Sequence, residues 1–251
     1  MTRWKAAAIH FGISLVVIGA VIGGLLLMWY PPPMFGVFGA AKLALILASV
    51  DVVIGPLLTL IVYKAGKRTL KFDLTVIALL QAIALVYGVS IMWQSRPVFL
   101  VASVDRFELV FANQLEPADL EQGNEERFRK LPWNGAKLVG AEVPFDGRAK
   151  LEAALSGMAG KDIHLTPRYY VDYAKVAPGL LKRGEPLAAL RKLGPDAGVE
   201  VDAFVAKHEL DENWVRYVPV VSSRGRAAMA LDGSLGTPIG MLPLDPWRDL
   251  E

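Results

Sequence analysis

The chain reads as a membrane protein: three N-terminal transmembrane helices, then an α+β domain that lies outside the cytoplasm and ends in a β-meander. Three observations predict this. Three long apolar segments fill the first 93 of the 251 residues, each near the ~20 residues needed to cross a hydrocarbon layer as a helix. The charge is divided unevenly: residues 1–93 hold seven Lys/Arg and two acids, whereas residues 94–251 hold 20 Lys/Arg and 23 Asp/Glu. After Trp93 the apolar runs shorten and alternate, and turn residues return.

The spans are expected at about 6–30, 34–63 and 72–93, followed by the domain at 94–251. Arg3 and Lys5 precede the first span, the link Pro31-Pro32-Pro33 is uncharged, and Lys64, Lys67, Arg68 and Lys71 cluster between the second and third. Basic loops stay in the cytoplasm. This places the N-terminus and the 64–71 loop inside, and the tri-proline link and the domain outside, in the periplasm of a bacterial inner membrane. Trp29, Tyr30 and Trp93 then mark the outer interface. The first span is too long for a cleaved leader and ends in Trp-Tyr-Pro-Pro-Pro, so it reads as an uncleaved signal-anchor.

Polar groups within the spans are the candidate sites. Asp51 stands about 12 residues from the cytoplasmic end of the second span, roughly 18 Å deep. A carboxylate there costs about 2.5–3.5 kcal/mol on insertion scales. Gln81 in the third span sits at a similar depth and is its expected partner, with His10 near the inner boundary. Gly55-Pro56 is expected to kink the second span one turn after Asp51. Lys42, about eight residues and roughly 12 Å from the outer end of a span that starts at 34, can snorkel. Gly19 and Gly23 form a GxxxG pattern that permits close helix approach. One mid-membrane carboxylate in three helices does not make a relay, so ion transport is not expected.

Beyond the membrane, strands are expected at Val98–Val104, Phe107–Phe111, Lys137–Val143, Trp214–Val221, Arg226–Leu231 and Pro238–Leu242. Helices are expected at Pro117–Glu121, Asp146–Leu155 (Asp146 as N-cap, Gly157 near its end), Pro186–Leu193 (stopped by Gly194-Pro195) and Asp202–Leu210. The mean hydropathy of +0.37 and pI near 8.7 average two unlike halves, and no basic stripe argues for nucleic acid. No cysteine is present, which excludes disulfides and thiolate chemistry. GxSxG, P-loop, GxGxxG and HExxH patterns are absent. His208-Glu209 lacks a second histidine, and His164 between Ile163 and Leu165 reads as a half-buried strand residue. No catalytic residue, metal ligand or cofactor is expected.

Several stretches together resemble one family. They are Asp51-Val52-Val53-Ile54-Gly55-Pro56-Leu57-Leu58, Leu70-Lys71-Phe72-Asp73-Leu74, Leu79-Leu80-Gln81, Tyr87-Gly88, Arg96-Pro97-Val98-Phe99, Val104-Asp105-Arg106-Phe107 and Leu244-Asp245-Pro246-Trp247. This is similar to the TfpX/TfpZ family of type IV pilin accessory proteins. The likeness is dense over 1–112, thinner over 214–247, and does not anchor 113–213. It implies a non-enzymatic, chaperone-like role: stabilising pilin or promoting its assembly, with type IV pilin, the lipid bilayer and other pilus assembly proteins as partners. Asp51, Gly55, Pro56, Gln81, Arg96, Asp105 and Arg106 would be its framework. A type IV pilin of that kind carries one acidic residue near the outer end of its apolar helix. Lys42 would meet that acid while Gly19 and Gly23 pack on the helix. The alternative is a membrane-anchored sensor with a ligand-binding outer domain; the short cytoplasmic loop, with no output domain, argues against it.

Overall fold

A computed structural model describes residues 1–142, 146–158 and 160–248. It divides into two units, Met1–Ser95 and Arg96–Glu251. In the first, three helices are long and apolar enough to cross a membrane: Arg3–Met28, Ala40–Val62 and Leu70–Gln94. We call them the first, second and third spans. Thr2 caps the first, its hydroxyl accepting from the Lys5 amide at 3.3 Å, which satisfies one of the orphan donors of a helix start.

The second span starts later than its apolar run. Met34–Val37 forms a separate helical turn, and Gly39 adopts a left-handed φ of 80° before the long helix begins at Ala40. A left-handed residue ends one helix and re-aims the chain, a conformation glycine adopts without penalty. Lys42 therefore lies in the first turn of its helix, about 3 Å from the start at 1.5 Å per residue, and not 12 Å along it. The expected span at 34–63 is corrected on this point.

The second span is central. The first packs along it through a stripe containing Ser14, Ile18 and Leu25, all buried, and the third packs on its other side. Leu47 of the second span lies where a Cβ on Gly88 would come within 2.6 Å of its Cδ1, so Gly88 sets the close approach of the second and third spans. At the opposite end from the 64–71 loop, Trp29 and Trp93 meet with ring centroids 5.2 Å apart. Tyr30, fully buried, donates its hydroxyl to the Ser95 carbonyl at 2.7 Å.

The second unit is built on a mixed sheet. Its strands are β1 (Pro97–Ala102), β2 (Phe107–Phe111), β3 (Lys137–Ala141), β4 (Tyr170–Val171), β5 (Glu185–Pro186), β6 (Val215–Ser222), β7 (Gly225–Asp232) and β8 (Pro238–Leu242). Their order is β4-β3-β1-β2-β6-β7-β8, with β5 added to β6. The β1–β2 hairpin is antiparallel, β1–β3 and β2–β6 are parallel, and β6–β7–β8 is the expected meander. One core gathers Phe99, Val101, Phe128, Val139 and Tyr170. A second gathers Leu187, Leu190, Val201, Phe204 and Tyr217. The α+β class is thus observed.

Element bounds differ where proline and glycine act across boundaries. Gly194, at φ 123°, ends a 3-10 helix at Leu187–Leu193, and Pro195 then opens the next helix, Pro195–His208. Proline suits a first helical turn, where its missing N–H is not needed, so this helix starts seven residues before the expected 202. Helix Gly147–Met158 runs on through Gly157. Val143, the expected end of β3, lies outside the described residues. His164 sits in a 3-10 turn, Ile163–Leu165, not in a strand; burial lowers its pKa. Helix Tyr173–Leu181 was not expected.

Candidate functional site

The polar site of the first unit grows from one imino acid. Pro56 has no N–H, and its ring crowds the carbonyl four residues back. The helix responds by widening into a π turn at Val50–Ile54, where the Gly55 amide bonds Val50 O, five residues back. In this register the next donor in line for Asp51 O would be the amide of residue 56, which proline lacks. That carbonyl would be an unsatisfied acceptor in a region without water, at a cost of several kcal/mol.

Gln81 replaces the missing donor. Its Nε2 lies 3.2 Å from Asp51 O and 3.2 Å from Asp51 Oδ1, so one side-chain amide from the third span satisfies both main chain and carboxyl. Gly55 is what lets it in: a Cβ there would stand 2.1 Å from Gln81 Nε2. The expected kink is accordingly a π turn, a known device at functional positions. Asp51 is 4% exposed, and its Oδ2 has no hydrogen-bond partner among the described residues. Nearby, His10 Nδ1 and Thr59 Oγ1 share a 2.6 Å hydrogen bond between the first and second spans. Asp51, Gln81, Gly55 and Pro56 are therefore one construction, with Thr59 and His10 beside it. Thr59 gave no signal in sequence because threonine is ordinary in apolar helices.

Lys42 is exposed and outside this cluster. One turn on from it, Ile46, then Leu47 and Val50, line an apolar groove of about 410 Å³ whose other wall is Tyr87, Gly88 and Ile91 of the third span. Gly19 and Gly23 point elsewhere. They lie roughly 140–180° around the first span from buried Ser14, and a Cβ on either would meet nothing within 4 Å among the described residues. The structure therefore does not bring Lys42 and the GxxxG face together as one surface.

In the second unit, motifs from opposite ends of the domain converge. Asp105 and Arg106 form a two-point ion pair, Nε–Oδ1 2.8 Å and Nη2–Oδ2 3.2 Å. The Arg106 guanidinium lies 4.7 Å from the centre of the Trp247 ring, and Arg226 covers the same ring at 5.7 Å. Arg226 also reaches Asp245, 3.7 Å away. Arg96 is buried and donates through Nε to Pro132 O at 3.1 Å. These arginines clamp main chain and aromatic surface. No group of three or more His, Asp or Glu side chains that could hold a metal occurs among the described residues.

Similarity to known proteins covers nearly the whole chain. Fimbrial assembly proteins of serogroups E1 and I from Dichelobacter nodosus are each 29% identical over 230 residues, 90% of this chain and 89% of theirs. A third, of serogroups C1 and C2 from the same organism, is 32% identical over 120 residues, 47% of this chain and 92% of its own. The chain belongs to the family of fimbrial assembly proteins. No family model matches it, and no solved structure does.

One further group of this family member titrates unusually. Glu108 on β2 is pushed up to about 7, first by burial, then by the nearby negative charges of Asp162 and Asp105, with Arg106 opposing. A carboxyl whose folded pKa exceeds its ordinary 4.5 binds a proton more tightly folded than unfolded. Its contribution to stability is complete below about 4.5 and is lost as pH rises through about 7. Glu108→Gln should remove this slope and stabilise the chain by about 1–2 kcal/mol at pH 8, allowing for its partial exposure. Thermal unfolding of both proteins in detergent at pH 5 and pH 8 measures it; parallel curves would refute the assignment.

Proposed function

We propose that this protein assists assembly of type IV pili without catalysis, holding the apolar helix of a pilin subunit within the bacterial inner membrane. The second unit stands in the periplasm in this reading, as the basic 64–71 loop directs. Three things support it: the fimbrial assembly relatives, the resemblance of the span motifs to pilin accessory proteins, and the absence of any recognisable catalytic pattern.

The observation that carries the proposal is the groove between the second and third spans, with Lys42 one helical turn before Ile46 of its lining. An apolar groove in a membrane gains little from hydrophobic transfer, since lipid tails fill it as well. Helix capture there rests on close packing and on polar contacts. Lys42 supplies the polar contact. A cation in the first turn of a helix is opposed by the helix dipole, and an acidic residue on the incoming helix relieves that opposition. Pilin is the subunit expected to bring such an acid.

Lys42→Met keeps the side-chain length and removes the charge. It should lower pilin recovered with the purified protein about tenfold, the equivalent of ~1.4 kcal/mol, and reduce surface pili while total pilin stays constant. Undiminished recovery and piliation would dismiss Lys42 as the contact. Deleting the whole gene and counting surface pili and total pilin separately distinguishes a role in assembly from one in pilin stability.

A further inference from the structure

The second unit carries an interrupted strand edge that none of the above uses. β3 pairs with β1 along Lys137–Gly140. On its other side β4 reaches only Gly140 and Ala141, through Val171 and Tyr170. β4 stops there for a local reason: Asp172 caps helix Tyr173–Leu181, its Oδ1 accepting from the Ala174 amide at 3.0 Å, and the cap turns the chain off the sheet. No strand pairs with Lys137, Leu138 or Val139 on that side among the described residues.

A cavity of about 540 Å³ borders this edge. Lys137, Leu138 and Val139 all line it, although successive strand residues point to opposite faces. A cavity touched by all three runs along the strand edge. Its walls are apolar, with Phe99, Phe128 and Leu131 inside and Trp133 at the mouth, 62% exposed. Every charged residue in the lining is a cation: Arg127, Lys130 and Lys137. Arg127 is shared between Glu125 and Asp172, and Lys130 pairs with Glu126; all are exposed pairs of a kind that is weak and exchangeable. Lys137 forms no ion pair among the described residues. This cationic patch belongs to a stretch with three more acids than bases (23 against 20 in residues 94–251).

We propose that Lys137–Val139 and the adjoining cavity form a strand-addition site for an extended segment of another protein. The segment continues the line of β4, antiparallel to β3. It places an apolar side chain in the cavity and an acidic one against Lys137. Main-chain hydrogen bonds supply the affinity and the cavity the selectivity, as in other edge-strand recognition. A lysine on an open edge discourages indiscriminate pairing, and an acidic partner residue turns that guard into a contact. The inference concerns the second unit alone and stands or falls separately from helix capture.

The test uses the full chain in detergent and a fluorescein-labelled nonapeptide of alternating valine and threonine with one central aspartate. Two variants of the peptide serve as probes of mechanism: one N-methylated on alternate amides, one with lysine for aspartate. Anisotropy titration should show the parent peptide binding at least tenfold tighter than either. Lys137→Glu should reverse the preference between aspartate and lysine, and Leu138→Ala should weaken the parent peptide severalfold. Bound peptide should slow hydrogen exchange at residues 137–139. Circular dichroism of both variants, matching the parent protein, shows that the fold is kept. Equal binding of the N-methylated peptide, binding by the micelle alone, protection elsewhere in the chain, or no binding at all would each overturn the proposal.

Discussion

Gln81→Leu should destabilise the three-span unit by about 2–4 kcal/mol, among the largest losses available to a single polar-to-apolar change inside a membrane. The reason is double. Gln81 Nε2 is the donor for both the Asp51 carbonyl and Asp51 Oδ1, and the carbonyl has no substitute because residue 56 is proline. Leucine matches glutamine in volume, so packing is kept and the polar loss is isolated. Gly55→Ala should copy the effect from the other helix. Its Cβ would occupy the place of Gln81 Nε2 and push that flexible side chain off Asp51. Because both changes break one construction, the double variant should lose little more than either alone. Thermal unfolding in detergent reads all three; full additivity would show that the two residues act independently. Pro56→Ala bears on the same logic. It restores an amide at 56 and should make the Gln81→Leu loss smaller by about 1 kcal/mol.

Tyr170→Ala should be the most damaging single change in the second unit, at about 3–5 kcal/mol. Tyr170 is fully buried. Its ring meets Phe99 edge-on at 5.2 Å and Phe128 at 5.8 Å, and its hydroxyl donates to the His164 carbonyl. Alanine would open a cavity between two aromatic neighbours, Phe99 and Phe128, and leave that carbonyl unpaired. Tyr170→Phe removes the hydroxyl alone and should cost about 1 kcal/mol. Denaturant titration of the two variants separates packing from the hydrogen bond. Near-equal losses would mean that the hydroxyl, not the ring, holds β4 in place. Since β4 stops where the open edge of β3 begins, Tyr170→Ala should also abolish the peptide binding proposed above.

Much of this architecture was legible along the chain. Length, apolarity and the position of basic loops revealed three spans, and period-two alternation found β2 and β8 to the residue and the meander nearly so. Asp51 and Gln81 could be matched by depth alone, because helical rise converts residue count into distance. Local punctuation was harder. Gly39 separates a helical turn from the long helix that follows it, and Pro195, read with Gly194 as a stop, is the first residue of the next helix. β4 and β5 are two residues each, too short to carry a period, and exist only because longer strands lie beside them.

The amino-acid sequence alone determined which segments belong in a membrane and that its polar cost concentrates at Asp51, since both follow from composition and length. The tertiary structure decided what that aspartate is for. Pro56 deprives a carbonyl of its donor, Gly55 clears a path, and Gln81 from another helix fills the gap; no residue count along one helix contains that relation. It also separated Lys42 from Gly19 and Gly23, which the sequence had allowed to share a partner. It joined Arg106 to Trp247 across 140 residues of chain. Periodicity constrains where a side chain points on its own element. Which neighbour it meets depends on how elements pack, and that is settled only when every buried polar group has found its partner.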